Sequence, residues 1–125
     1  MEREIEHDQV LRGMRILVAD DEFFIAAAIE DTLREAGAEI VSAATLPAAL
    51  KCASEEDLCA ALLDIRLGRQ TTEAVADVLA ARAIPFVFYS GQTLPDSMRE
   101  KHPGARVLSK PAGQEVFVEA MLGFR

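Results

Sequence analysis

The sequence predicts an α/β protein, a doubly wound parallel sheet of five strands with helices on both faces. Two observations carry this. Short uninterrupted apolar runs, typical of strands buried on both faces, alternate with segments of helical apolar periodicity along most of the chain. The length of 125 residues suits one domain of this kind.

The elements follow in order. Residues 1–13 are polar and acid-rich and read as a flexible leader, which leaves 14–125 as a single domain without an output module. Met14 to Ala19 (MRILVA) is the first strand, closed by Asp20 and Asp21. From Glu22 to Ala36, the residues Ile25, Ile29, Leu33 and Ala36 recur at helical spacing, and Gly37 supplies a C-terminal stop. Ala38 to Ala43 is the second strand. Thr45 can cap a helix with Pro47 in its first turn, running to about Ser54.

Leu58 to Asp64 is the third strand, and Thr72 to Ala83 the third helix, through Val75, Val78 and Leu79. Ile84 to Tyr89 is the fourth strand; Pro85 is tolerable only at its beginning. Residues 91–104 hold two prolines and two glycines and allow only about two helical turns, Pro95 to Lys101. Arg106 to Leu108 is the fifth strand. Gln114 to Leu122 closes the chain as a helix with Val116, Phe117, Ala120 and Met121 on one face.

Composition narrows the function classes. A formal net charge of −8 repels nucleic acid phosphates and anionic lipid, which argues against direct nucleic acid binding. Apolar runs are far shorter than the roughly 20 residues of a membrane span, and the acidic start is unlike a signal peptide, so no membrane insertion and a cytoplasmic place are expected. Cys52 and Cys59 lack the further ligands of a zinc site and read as reduced, packed thiols. His7 and His102 read as solvated.

In a doubly wound sheet, binding sites lie at the carboxyl ends of the strands. There Asp20 and Asp21 end the first strand, Asp64 the third, Ser90 the fourth, and Ser109 with Lys110 the fifth. Two carboxylates about 4 Å apart repel by roughly 4 kcal/mol at an effective dielectric of about 20, so three converging acids call for a cation. All-oxygen ligation suits Mg²⁺, which takes one or two protein carboxylates and leaves one acid free to react. A carboxylate can attack a phosphoryl group if cations neutralise the charge on its oxygens; Lys110 and the metal would do so, and Ser90 could donate to a phosphoryl oxygen. Helix capping by aspartate, favourable by roughly 0.5–2 kcal/mol, accounts for one acid per loop but not for the doubled acid or the lysine across the sheet.

VADDEFF, LLDIRL, FYSG and LSKP, in this order and at these separations, resemble the receiver domains of two-component response regulators over residues 14 to 123. The resemblance implies Asp64 as phosphoacceptor, with Mg²⁺ held by Asp21 directly, by Asp20 mostly through water, by Asp64, and by the backbone carbonyl of Arg66. It implies Ser90 as the switch hydroxyl, Lys110 as the ion-pairing lysine, a strand order 2-1-3-4-5, and a Lys110–Pro111 bond often held in cis. A sensor histidine kinase or phosphotransfer protein would supply the phosphoryl group, and an unidentified downstream protein would read it, the chain being no enzyme beyond its own phosphorylation and dephosphorylation.

The sequence also departs from that pattern. LGRQTTE replaces the usual Met-Pro-Gly-like turn after Asp64, and Val107 stands at the aromatic switch position. DIRLG followed by AARAIPFVFYSG looks like the alphaproteobacterial stand-alone "FAT GUY" regulators, matched at Phe88, Gly91 and the hydroxyl of Ser90, with Thr93 in place of its tyrosine. A phosphorylation-independent pseudo-receiver is the alternative. A haloacid-dehalogenase-like phosphatase would instead want an Asp-x-Asp strand end and a cap.

Residues 92–104 are expected to be mobile. Burying Leu94 and Met98 yields about 3–6 kcal/mol at roughly 1.5–3 each. Ordering the segment costs at least about 1 kcal/mol per residue, so its own apolar contacts do not fix it.

Overall fold

The computed structural model describes residues 9–110 and 112–125. Its elements are β1 (Arg15–Ala19), α1 (Phe23–Glu35), β2 (Glu39–Ala43), α2 (Leu46–Glu55) and β3 (Ala60–Asp64), followed by β4 (Arg66–Leu67), β5 (Gln70–Thr71) and α3 (Glu73–Ala81). β6 (Phe86–Ser90), α4 (Asp96–Lys101), β7 (Arg106–Ser109) and α5 (Gln114–Leu122) complete the chain. Five strands form one sheet in the order β2-β1-β3-β6-β7, all neighbours parallel. This is the flavodoxin-like order expected from the family resemblance.

Strand alternation divides the core in two. In β1, Ile16 and Val18 face α1 and α5, while Leu17 and Ala19 face α2 and α3. Leu62 and Val87 continue the first layer with Leu33, Phe117 and Met121; Leu63 and Phe88 continue the second with Ala49, Leu79 and Met98. Because β3 is covered on both sides, all five of its residues are buried, including the terminal Asp64. Helix ends follow local chemistry: the Thr45 hydroxyl accepts from the Ala48 amide at 3.2 Å, with Pro47 in the first turn of α2. Gly37, at φ +103°, turns the chain out of α1.

Several expectations need correction. Leu11, placed in the flexible leader, is fully buried, and its amide donates to the Ala36 carbonyl, so the core begins before Met14. Residues 1–8 of that leader, His7 among them, lie outside the described residues. The third helix stops at Ala81 rather than Ala83, which takes φ +59°. Cys52 is half-buried as expected, but Cys59 is exposed. His102 is not solvated: its side chain is 11% exposed, bonded to Asp77 and set edge-on to Phe86.

The weak stretch does hold a short helix, α4, with Pro95 as its N-cap. Leu94 and Met98 are buried as anchors. Polar contacts to α3 add to them: Lys101 Nζ lies 2.6 Å from Glu73 and 3.0 Å from Asp77, and His102 Nε2 lies 3.0 Å from Asp77. No helix among the described residues is long and apolar enough to cross a membrane.

Candidate functional site

The strand order reverses between β1 and β3, and the crevice at such a switch point opens at the carboxyl ends of the strands. Asp20 and Asp21 follow β1 there, and Asp64 ends β3. One ligand atom from each lies within 4.8 Å of the others. Asp20 and Asp64 are buried, whereas Asp21 is exposed.

Each acid has a distinct partner. Asp20 Oδ1 accepts from the Glu22 amide at 2.8 Å, and its Oδ2 is buried without a hydrogen-bond partner among the described residues. Burial pushes the Asp20 carboxyl up to about 6, against the Glu22 amide and with the help of the Asp64 charge. Asp21 Oδ2 accepts from the Gly68 amide at 2.8 Å. Asp64 Oδ1 accepts weakly from the Arg66 amide at 3.4 Å, and Oδ2 from Lys110 Nζ at 3.1 Å.

Lys110 reaches the acids from beyond β7. Its amide donates to the Ser90 carbonyl at 2.9 Å, which fixes the start of its side chain at the rim. Nζ also donates to Glu22 at 2.6 Å and stands 5.0 Å from the centre of the Tyr89 ring. Burial disfavours its charge, but the bonds to Glu22 and Asp64 outweigh this and hold the ammonium above its ordinary range. Ser90 is buried, and its hydroxyl accepts from the Gln92 amide at 3.1 Å. Asp21, Asp64, Arg66, Ser90 and Lys110 line one open cleft of about 410 Å³.

These side chains offer hard oxygen donors around an unpartnered buried oxygen, facing one fixed cation. That donor set fits a divalent ion of the Mg²⁺ type, for which Asp20, Asp21, Asp64 and the Arg66 carbonyl are the candidates.

No family model and no curated protein matches the chain. Solved structures do. A CheY-like response regulator receiver domain protein from Methanospirillum hungatei JF-1 is 25% identical, with a TM-score of 0.77 over 86% of this chain and 90% of that one. The fold has receiver architecture. Chemotaxis response regulator CheY4 of Vibrio cholerae is 23% identical, with a TM-score of 0.76 over 90% of this chain and 98% of that one. The receiver domain of a sensor histidine kinase from Pseudomonas aeruginosa PAO1, solved with magnesium in its active site cleft, is 23% identical, with a TM-score of 0.77 over 90% and 97%.

Within this receiver fold, Asp20, Asp21, Asp64, Arg66, Ser90 and Lys110 come to one rim, while Ser109 lies outside the lining of the acid cleft. The expected departures are also visible. Val107 is 37% exposed and borders a second cleft of about 490 Å³, which shares Ser90, Gly91 and Gln92 with the acid cleft. Pro111, and with it the Lys110–Pro111 bond, lies outside the described residues.

Three residues of the site escaped the sequence reading. Glu22 was counted as the start of the first helix and is instead a second carboxylate on Lys110. Thr72 was read as a helix start; it is fully buried, and its hydroxyl donates to the Asp64 carbonyl at 2.6 Å. Gly68 lies in the turn of an antiparallel hairpin, β4–β5, formed by the segment that departs from the family's usual turn after Asp64. Its signal was present: Gly68-Arg69 is a two-residue loop with glycine first, a preferred hairpin turn.

Proposed function

We propose that this chain is a response regulator receiver domain that accepts a phosphoryl group on Asp64 and signals through contact with another protein. The carrying observation is the convergence of Asp20, Asp21 and Asp64 within 4.8 Å, with Lys110 Nζ 3.1 Å from Asp64. Capping alone leaves a buried oxygen of Asp20 unpartnered and gives Lys110 no reason to cross the sheet.

In this reading Asp64 is both a ligand of the cation and the nucleophile. Its carboxylate oxygen forms the new bond to phosphorus, the bond from phosphorus to the donor atom breaks, and the electron pair leaves with the donor. Lys110 pairs with the incoming oxygens, a stronger contact than with a lone carboxylate oxygen. Ser90 exchanges its Gln92 amide contact for a donated bond to a phosphoryl oxygen. Asp20, Asp21, Asp64 and the Arg66 carbonyl would hold Mg²⁺, which supplies charge neutralisation at the phosphoryl oxygens.

A sensor histidine kinase or phosphotransfer protein is the donor this site would take. Phe23 and Phe24, 76% and 85% exposed at the start of α1 just after Asp20, Asp21 and Glu22, offer such a protein an apolar contact. The self-limited acyl phosphate separates this reading from a phosphatase, which would turn over.

Incubation with a small acyl phosphate and Mg²⁺, followed by intact mass, tests the assignment. One phosphoryl group is expected on the parent, and none on Asp64→Asn or after chelation. Labelling of Asp64→Asn equal to the parent would overturn it.

A further inference from the structure

The connection from β3 to α3 does more than join two elements. It folds into the hairpin β4–β5, in which Arg66 pairs with Thr71 and Leu67 with Gln70. Leu67 is 4% exposed and packs in the core layer under α2 and α3, so the hairpin is anchored by a side chain as well as by its backbone. Thr72 fastens its exit: its amide donates to the Ile65 carbonyl at 2.8 Å and its hydroxyl to the Asp64 carbonyl at 2.6 Å. At the tip, Gly68 has φ +64° and points its amide at Asp21 Oδ2, 2.8 Å away across the crevice.

The hairpin and its exit therefore touch two of the acids. They grip the backbone of Asp64 at one end and the carboxylate of Asp21 at the other. A carboxylate oriented by an outer hydrogen bond presents its remaining oxygen in a fixed direction, and losing such a partner typically weakens metal binding by about 10–100-fold.

We propose that the β4–β5 hairpin is a positioning device: the Gly68 amide aims Asp21 and Thr72 holds Asp64, and together they set the affinity and size selectivity of the divalent-cation site. This rests on the cation reading given above. Mg²⁺ demands near-ideal octahedral geometry at short distances, whereas Ca²⁺ accepts longer and looser ligation. Loosening the hairpin should therefore cost Mg²⁺ more than Ca²⁺.

Gly68 allows a test free of steric confusion. A Cβ added there meets nothing within 4 Å, so a substitution acts chiefly through the positive φ. Valine is strained in that conformation, and asparagine is the better tolerated side chain. Calorimetric titration with Mg²⁺ and with Ca²⁺ would compare the parent with Gly68→Val, Gly68→Asn and Thr72→Val, with melting temperature recorded without metal. Gly68→Val is expected to bind Mg²⁺ about tenfold more weakly with a smaller change for Ca²⁺, and Gly68→Asn to fall between valine and the parent. Equal loss for both cations, or a parent-like Mg²⁺ affinity in Gly68→Val, would overturn the inference while leaving the cation site intact. A parent that binds neither cation would remove the cation reading itself and this inference with it. Should Gly68→Val fail to fold, the Mg²⁺-to-Ca²⁺ ratio in Thr72→Val and Gly68→Asn decides: a ratio unchanged from the parent in both contradicts the proposal.

Discussion

Between Asp64 and α3 the chain is held by a paired backbone with Leu67 and Thr72 buried; between Ser90 and β7 it is held mostly by side-chain contacts around one short helix. The first connection is a paired hairpin closed by the fully buried Thr72. The second runs through the six-residue α4, with Leu94 and Met98 as apolar anchors and contacts from Arg99, Lys101 and His102 around them. Backbone ladders and buried hydroxyls fix geometry, while exposed ion pairs add little and are screened by salt. The hairpin thus suits a role that must not move, the placing of ligands. The α4 connection suits a role that must, because Ser90, Gly91 and Gln92 start it and also line the acid cleft.

The largest effect should come from the rigid side. Thr72→Val removes a buried donor and leaves the Asp64 carbonyl with one partner fewer, at a cost of about 1–3 kcal/mol in unfolding free energy. A denaturant midpoint unchanged from the parent would show that the hairpin exit is not held as described.

A comparable change of opposite sign should come from the acids themselves. Asp20 has its folded-state carboxyl raised from 3.8 to about 6, chiefly by burial, so its ionised form is disfavoured in the folded protein. Stability from this group is fullest below about pH 4, falls as pH rises toward 6, and is flat above. Without divalent metal, Asp20→Asn should therefore stabilise the protein at pH 7 by about 1–3 kcal/mol and change little at pH 4. Melting curves at the two pH values check this, and a destabilised Asp20→Asn at pH 7 would contradict it.

Smaller still is the effect expected on the α4 side. Lys101→Ala breaks the contacts to Glu73 and Asp77, which both hold their carboxyls below the usual range. Global stability should hardly move, yet amide exchange over residues 94–102 should quicken, and high salt should mimic the substitution. Exchange unchanged by either would mean that Leu94 and Met98 alone anchor the segment.

The same contrast explains what the sequence made legible. Apolar runs such as MRILVA and the helical spacing of Ile29 and Leu33 report burial directly, so strands and helices fell near their observed bounds; α5 matches at both ends. Asp20, Asp21, Asp64, Ser90 and Lys110 were legible because strand ends in a parallel sheet share one rim, whereas Arg66 came only from the family resemblance. Contacts between distant loops were not. Nothing local to Asp77 and His102 announces their bond, and a histidine between Lys101 and Pro103 looks solvated until α3 is folded beside it. Leu11 was missed for the same reason: the scattered apolar residues of the leader, Val10 and Leu11 among them, show no sustained periodicity, and its partner Ala36 lies on another element. Glu22, one of a run of acids, is distinguished only by Lys110 across the sheet.

The division of labour between the two connections is tested most directly by backbone amide exchange of residues 64–72 and 91–104, with and without a phosphoryl mimic and Mg²⁺. Binding of the mimic should slow exchange over residues 91–104 well beyond any change in the hairpin, because Ser90 draws the start of that segment toward the phosphoryl oxygens. Unchanged exchange over 91–104, or a response confined to 64–72, would contradict the account.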